Sequence, residues 1–357
     1  MNNANQTDSE LLATLSSLEQ YFFPKGMLIK SIETLSSLKE NIIALDHALL
    51  QLSKTSNFSS QELEYITEKA FELGDALGKT ELEVLSSITA ASSAGYDLQE
   101  SIKLAEEALK LTNISSSITD TEKALEHLEQ IIKNFGKDSN FASKINDAIL
   151  GVANTDAINF DTLMEGAYKL SDASNNAGMS LEEMIGLLTA AYQTIGDMDK
   201  VEGSMPTIFS NLKEVYKDTE NVYDIFDKLS ASWGNMDAPS RDAFLSFTID
   251  ENQQDTFTAI MDNWALVEQS VYSASNSFGS ADSANKTYLD SIEGRTKSLK
   301  NQLHQLSDSL INSDFTKFFL ELGTSGAKAL DNLLEKLGSF STLGTLGAGY
   351  LSSKGVG

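Results

Sequence analysis

Helix start and stop signals recur along the middle of the chain, and they constrain its fold more than any other feature. A Ser, Thr or Asp followed three residues later by Glu marks a helix N-terminus, because each side chain hydrogen-bonds the backbone N–H of the other residue. Five pairs have this spacing: Ser59 with Glu62, Thr80 with Glu83, Asp97 with Glu100, Thr119 with Glu122, and Ser180 with Glu183. Five glycines lie where left-handed caps would end helices: Gly78, Gly95, Gly136, Gly178 and Gly196. The pattern predicts consecutive helices of moderate length.

The residues between these signals favour helix and give no indication of a β-sheet. Leu, Ala, Ser and Glu are plentiful, whereas only three prolines (Pro24, Pro206 and Pro239) occur in 357 residues. Helix formers with so few helix breakers predict an all-α chain, and no run of alternating β-branched residues is long enough for a sheet. We therefore expect an all-α fold of helical hairpins or a bundle, with an elongated outline.

Two stretches one hundred residues apart resemble each other. GKTELEVLSSITAA covers 78–91, and GMSLEEMIGLLTAA covers 178–191. In both, a glycine ends one helix, a hydroxyl caps the next, and Thr-Ala-Ala forms a face of small residues that another helix can approach closely. Because the shared polar residues all have capping roles, we interpret the pair as a repeated packing unit and not as a duplicated active site. The related units cover about 58–112 and 159–212, within a core of 58–250.

A seven-residue apolar rhythm precedes this core, over residues 27–57. Its members are Leu28, Leu35, Leu38, Ile42, Leu45, Leu49 and Leu52. Such a repeat is typical of a coiled-coil seam, and it equally fits a long amphipathic helix that packs within its own chain. The first alternative predicts a homo-oligomer with an N-terminal coiled-coil-like helix, and the sequence leaves both alternatives open.

The remaining segments differ in composition. Residues 1–26 form a polar N-terminal segment, and its polar and acidic start, MNNANQTDSE, argues against a secretory signal. Residues 197–250 mix turn formers with aromatics and predict short helices and connections, whereas 251–337 predict long helices. Residues 338–357 are rich in Gly and Ser and are expected to be flexible. The abrupt end of this segment suggests that the natural chain continues.

Composition and motif searches exclude several classes of function. The net charge of −26 disfavours direct nucleic-acid binding, because phosphate contacts need clustered Lys and Arg. The absence of cysteine excludes disulfides and thiol chemistry. His47, His127 and His304 lie far apart without metal-ligand spacing, and each is interpreted as a helix-surface or seam residue. With no nucleophile elbow or phosphate-binding loop, we predict no catalytic residue, metal or cofactor.

Three stretches resemble the tape-measure proteins of tailed phages. Residues 45–110 (LDHALLQLSKTSNFSSQELEYITEKAFELGDALGKTELEVLSSITAASSAGYDLQESIKLAEEALK) resemble the core of that family, and residues 176–197 (NAGMSLEEMIGLLTAAYQTIGD) resemble its second helical unit. The most specific match, at 278–326 (FGSADSANKTYLDSIEGRTKSLKNQLHQLSDSLINSDFTKFFLELGTSG), has the form typical of phages and prophages of Gram-positive bacteria. Its motif residues are Gly279, Ser280, Ala281, Tyr288, Asp290, Ser291 and Gly294. The chain departs from the family at 196–213, where many relatives carry a Gly-x-x-Ala-Gly-Thr step.

The resemblance implies a virion structural protein without enzymatic activity. Proteins of this family set tail length, because tube subunits polymerise around them in the host bacterial cytoplasm, and they then reside in the virion tail and assist DNA ejection into the host. The implied partners are the tail tube protein, tail assembly chaperones and tail-tip proteins, with host membrane contact through regions beyond residue 337.

Two other functions compete with this one. An all-α interaction or pore-forming protein, such as a helical toxin or a secretion component, would also use the heptad seam and the Gly-rich end. A muralytic enzyme is the third possibility, because some tape-measure proteins carry such domains.

Overall fold

The computed structural model describes residues 48–49, 51–56, 58–156 and 158–291. Over these ranges the backbone forms helices joined by turns and short connections, without a β-strand. Consecutive helices pack against each other as hairpins, and the hairpins gather into a bundle. The prediction of an all-α fold of helical hairpins is therefore confirmed. All described residues belong to one contact unit, which covers 44–301.

Thirteen α-helices have complete bounds within the described residues, and we number them in chain order. They are α1 (Ser60–Leu77), α2 (Glu81–Ser93), α3 (Leu98–Ile114), α4 (Thr121–Asn134), α5 (Phe141–Thr155), α6 (Phe160–Asn176), α7 (Leu181–Ile195), α8 (Met198–Val215), α9 (Val222–Trp233), α10 (Ala238–Thr248), α11 (Gln254–Asp262), α12 (Trp264–Ser275) and α13 (Ser280–Asp290). A 3-10 turn, Glu251–Gln253, precedes α11, and residues 51–55 are also helical.

Capping side chains decide where most of these helices begin. Four of the predicted capping boxes are confirmed in both directions: those of Ser59, Thr80, Asp97 and Ser180. The fifth, Thr119 with Glu122, is wrong. There the N-cap is Asp120, whose carboxylate accepts the Lys123 N–H at 2.9 Å. Asp120 prevails because a carboxylate is both a good cap and a favourable charge at a helix N-terminus.

The predicted glycine helix ends are confirmed, since all five glycines have φ angles between 59° and 98°. At Gly178 the fit is steric as well as conformational. A Cβ added there would lie 2.5 Å from the carbonyl oxygen of Glu220. Next to it, the Val222 N–H donates to the Ala177 carbonyl at 2.9 Å. The end of α6 is therefore closed by the segment that leads into α9.

Helix α7 is the centre of the bundle. Ten of its fifteen residues are buried, because α5, α6, α8, α11 and α12 all pack against it. The closest neighbour is α12, which approaches at Gly186. A Cβ on Gly186 would lie 2.6 Å from a methyl group of Val271 and 3.0 Å from the Val267 carbonyl oxygen. The glycine is thus a packing requirement of the α7–α12 pair.

The two similar stretches, 78–91 and 178–191, occupy the same place in two series of three helices, α1–α2–α3 and α6–α7–α8. In both, the Thr of Thr-Ala-Ala donates its hydroxyl to the carbonyl four residues earlier, at 2.7 Å for Thr89 and 2.8 Å for Thr189. Their surroundings differ, because Thr89 and Ala90 are half-buried whereas Thr189 and Ala190 are fully buried. The shared residues therefore serve packing and capping in both copies.

Two hydrophobic clusters hold the helices together. The larger draws on α3 to α9 and on α11 and α12, and the smaller lies among α1, α2 and one face of α3. Two members of the predicted heptad seam are described: Leu52 is fully buried in the smaller cluster, and Leu49 packs against it. Both therefore contact residues of their own chain. The other five, Leu28, Leu35, Leu38, Ile42 and Leu45, lie outside the described residues, so self-association through the seam stays a prediction.

The prediction of short, broken structure over 197–250 is correct for α9 and α10 and wrong for α8. That helix runs for 18 residues and contains Pro206. A proline in a helix interior removes one backbone hydrogen bond and costs about 3 kcal/mol. Burial of Met205, Ile208, Phe209 and Leu212 on the same helix offsets this cost, as tertiary packing commonly does.

The prediction of long helices from 251 to 337 is wrong for its described part. Residues 251–290 form three helices of 9 to 12 residues. The first break is at Asn263, whose side-chain amide donates to the Ala259 carbonyl at 2.7 Å and to Thr194 at 2.8 Å. The second is at Gly279, which has a φ angle of 81°. The apolar periodicity alone would predict that the helix continues through both positions. At the first, a side chain competes for backbone partners, and at the second, a left-handed residue ends the helix.

A matched pair of glycine substitutions tests the central packing. Gly186→Ala is expected to lower the free energy of unfolding by about 1–3 kcal/mol, because the new methyl group has no room against α12. Gly203→Ala, on α8 with open space around it, is expected to raise it by about 0.5–1 kcal/mol through helix propensity. Urea denaturation of both variants measures the difference, and equal effects would contradict the close approach.

Asp161 links the end of α3 to the start of α6. Its carboxylate accepts hydrogen bonds from the Ser115 and Ser116 hydroxyls and from the Ser116 N–H, the last at 3.1 Å. Partial burial acts to raise the pKa of Asp161, but these hydrogen bonds and one from Ser117 outweigh it and leave the pKa below its ordinary value. The ionised form is therefore the one that stabilises this connection.

The Asp161 link predicts an acid-dependent stability. Because the pKa of Asp161 is lower in the folded chain, its stabilisation is fully present above the unfolded value of about 4 and is lost as pH falls through the folded value. Asp161→Asn should cost about 1–2 kcal/mol at neutral pH, and less on further acidification. Denaturation of both proteins between neutral pH and pH ~3 measures the difference between their free energies of unfolding. A difference that stays constant over that range would refute the stabilising role of the ionised Asp161.

Candidate functional site

The segment with the most specific family motif begins at the last described helix, and its docking surface is the candidate site. Helix α13 contacts α3 and α5. We call this contact the α13 junction, formed by residues 279–291 with Lys110 and Asn113 of α3 and Asp147 of α5. Residue 291, the last one that the structure describes, belongs to it.

The N-terminus of α13 is capped by a side chain from another helix. Gly279 has no side chain and a φ angle of 81°, so it cannot cap the helix itself. Instead, the Asp147 carboxylate accepts the Gly279 N–H at 3.0 Å and the Ala281 N–H at 2.8 Å. Asp147 is only 5% exposed, and a buried carboxylate needs such donors. The helix N-terminus and this carboxylate thus satisfy each other.

An ion cluster around the buried Lys110 contacts the first turn of α13 through Asp282. The Lys110 ammonium lies 2.7 Å from Asp282, 2.8 Å from Glu106 and 3.1 Å from Glu107. Burial opposes the charge of Lys110, but Glu107 and the hydrogen bonds to Asp282 and Glu106 outweigh burial and raise the pKa of Lys110 above its ordinary value. The Glu107 side chain is fully buried. It also accepts from Asn146 of α5, at 3.1 Å, so the cluster joins α3, α5 and α13.

The C-terminal half of α13 rests on the turn between α1 and α2. The Asn113 amide donates to Asn285 at 2.7 Å and to the Leu77 carbonyl at 2.8 Å. One residue further, a Cβ on Gly78 would lie 2.8 Å from the Leu289 side chain. Gly78 therefore has a second role besides ending α1, because it leaves room for α13.

The attachment of α13 is mainly polar. Among its residues only Ala281 and Asn285 are buried, whereas its first two turns carry hydrogen bonds and an ion pair to α3 and α5. Exposed ion pairs contribute little, but truncating one partner of a buried pair leaves an unpaired charge and is costly. The junction thus fixes the position and direction of α13, and it buries little apolar surface.

The motif residues have distinct places in this junction. Gly279 and Ala281 supply backbone donors to Asp147, and Ser280 is the first residue of α13. Tyr288 lies near Gly78, and its carbonyl accepts the Ser291 N–H at 2.9 Å. Asp290 is exposed, and Gly294 lies outside the described residues. A functional role for the set stays a prediction.

Sequence reasoning missed Lys110, Asn113 and Asp147, the partners of the motif. One signal was present: Asp147 directly precedes a small and apolar run, AILGVA at 148–153. A carboxylate at such a position must have a buried partner. The sequence does not indicate which residue is the partner of Asp147, since Asp147 and Gly279 are 132 residues apart.

His127 is buried between α4 and α6, and not on a helix surface. Its ring stacks on Tyr168 with centroids 4.2 Å apart, and its two nitrogens face the Lys123 carbonyl at 2.9 Å and Glu165 at 3.2 Å. His47 and His304 lie outside the described residues. Within the described ranges, no group of three or more His, Cys, Asp or Glu residues is placed to hold a metal ion.

The helices between residues 48 and 291 include none that is long and apolar enough to cross a membrane.

The family described as phage-related minor tail protein matches residues 67–342. The match covers more than half of the chain, and it includes α2 to α13 together with every residue of the α13 junction. No solved structure matches the chain.

Removing the capping carboxylate tests the junction. Asp147→Ala takes away both acceptors at the start of α13, which should cost about 1–2 kcal/mol and speed hydrogen exchange of the 280–290 amides by about tenfold. Asp282→Ala is the matched control, because Asp282 is 70% exposed and its ion pair should contribute less. Exchange in α7 should not change in either variant. Unaltered exchange of α13 in Asp147→Ala would mean that this cap does not hold the helix.

Proposed function

Because the chain belongs to the family of phage-related minor tail proteins, and is therefore a phage tail protein, we propose that it acts as the tape measure of the tail. In this role it sets tail length while tube subunits assemble around it, and it assists DNA passage into the host at infection. The family match over 67–342 carries the proposal. The form of the 278–326 segment, which resembles that of phages and prophages of Gram-positive bacteria, supports it.

The all-helical backbone suits a ruler for a physical reason. An α-helix rises about 1.5 Å per residue, so each added residue adds a fixed length. As one straight helix, the described core would extend over roughly 350 Å, whereas a folded domain of that size has a radius of gyration of only about 17 Å. While folded, the bundle contributes little length, so under this proposal length is encoded by segments outside it, including residues 28–48, for which the heptad pattern predicts a helix.

The partners and the chemistry follow from the same role. The proposed partners are the tail tube protein, tail assembly chaperones and tail-tip proteins, in the host cytoplasm during assembly and then in the virion tail. Self-association through the heptad seam and host membrane contact beyond residue 337 belong to the same proposal. The role needs no enzymatic step and no cofactor. The net charge of −26 repels DNA that shares a confined space with the chain.

The ruler role predicts that tail length follows heptad number. Residues 28–48 make three heptads, and a tandem copy inserted after Ala48 keeps Leu49 in phase. One, two and three extra copies should lengthen tails by about 30, 60 and 90 Å if the segment is helical. Mean tail length by electron microscopy of the mutant phages measures the effect.

An insertion inside the bundle is the matched control. A Gly/Ser insert of equal length between Lys217 and Asp218, two exposed residues between α8 and α9, should leave tail length unchanged, because the folded core does not extend. Tails of normal length in all three heptad mutants would refute the ruler role.

A further inference from the structure

Helix α10 carries apolar side chains on two of its faces, one turned toward the bundle and one turned away from it. Its inner face is occupied: Phe244 packs edge to face with Trp233 and at a tilt against Phe257, with ring centroids 6.2 and 5.7 Å away. Arg241 also turns inward, with its guanidinium 4.8 Å from the Trp233 ring centre and 3.3 Å from Asp262. These contacts fix the helix on the bundle.

The outer face of α10 bears an apolar stripe that no described residue covers. Pro239, Ala243 and Phe247 follow each other at intervals of four, which places them on one side of a helix. All three are exposed, and Phe247 is 83% exposed. The stripe is about 12 Å long, with the small Ala243 between two larger residues. We call these three residues the α10 stripe.

The helix that carries the stripe is held in place at both ends. Asp237 caps its start by accepting the Ser240 N–H at 3.0 Å, and Pro239 occupies the first turn. At the other end Thr248 and Ile249 are buried. A large apolar side chain on a pre-ordered helix loses little conformational freedom when it binds. The stripe is thus preorganised for contact.

Charge beside the stripe indicates what can cover it. Asp242 is exposed on the same helix, three positions after Pro239, and Asp250 is exposed two residues beyond the end of the helix. The surrounding segment 217–255 has nine acidic and three basic residues, and one of the basic residues, Arg241, is directed inward. A partner therefore meets an apolar ridge flanked by negative charge.

We propose that the α10 stripe is a docking surface for an amphipathic helix of a partner protein whose apolar face is flanked by Lys or Arg. An apolar row at intervals of four matches the ridges and grooves by which helices pack, and Ala243 leaves a notch for one large side chain. The basic flanks satisfy Asp242 and Asp250. A second copy of this chain is disfavoured, because symmetric pairing would bring the same carboxylates together in a chain of net charge −26.

Two synthetic helical peptides with the same leucine face, one flanked by Lys and one by Glu, test the proposal on the purified full chain. Fluorescence anisotropy at about 50 mM salt should show the Lys peptide binding at least about tenfold more tightly than the Glu peptide. Phe247→Ser should weaken the Lys peptide about tenfold. Phe278→Ser is the matched control, since Phe278 is 99% exposed elsewhere, and it should change binding by less than about twofold.

A charge swap separates the stripe from general attraction to an acidic protein. Asp242→Lys combined with Asp250→Lys should reverse the preference toward the Glu peptide. Circular dichroism should match the wild type in every variant, because all the altered side chains are exposed. Unchanged binding by Phe247→Ser, or equal binding of the two peptides, would overturn the proposal. So would a wild-type dimer that Phe247→Ser converts to a monomer in the ultracentrifuge, because the occupant would then be a second copy.

Discussion

The close approach of α12 to two helices at once is the constraint on which the described fold depends. On one side Gly186 of α7 leaves room for Val267 and Val271, and on the other Gly151 of α5 leaves room for Ser273 and Ser277. Any larger side chain at either glycine would push α12 outward. Because α12 lies so close, it covers α7 on the side that the hairpin neighbours of α7 leave open, and ten of the fifteen residues of α7 are buried.

The position of α12 then determines that of α13. Ser277 is buried beside Gly151, and its hydroxyl donates to the Ala274 carbonyl at 2.7 Å, so the turn after α12 starts from a fixed point. Two residues later the left-handed Gly279 directs its N–H to Asp147. The close packing of α12 at the two glycines and the polar contact of Gly279 with Asp147 are therefore consecutive along the chain. The first sets where the chain turns, and the second sets the direction in which it leaves.

Those parts of the fold that depend on neighbouring residues could be predicted from the sequence, and those that depend on distant ones could not. A capping box lies within four residues, so Ser59 and Ser180 could be identified together with their Glu partners. Asp120 competed with Thr119 over the same few residues, and charge decided the outcome. Asp147 and Gly186 have partners across the bundle. Their residue types indicate a constraint, but the sequence does not indicate which segment imposes it.

The two kinds of attachment also differ in how readily they open. Separating α13 exposes little apolar surface, because only Ala281 and Asn285 are buried on it, and water can solvate the charges of Lys110 and Asp147 once they part. Separating α12 exposes Val267 and Ala274 together with the facing side of α7. The free energy of local opening therefore rises from α13 toward α7. Of the two attachments, the one at α13 therefore opens first, at the end where the family motif continues beyond residue 291.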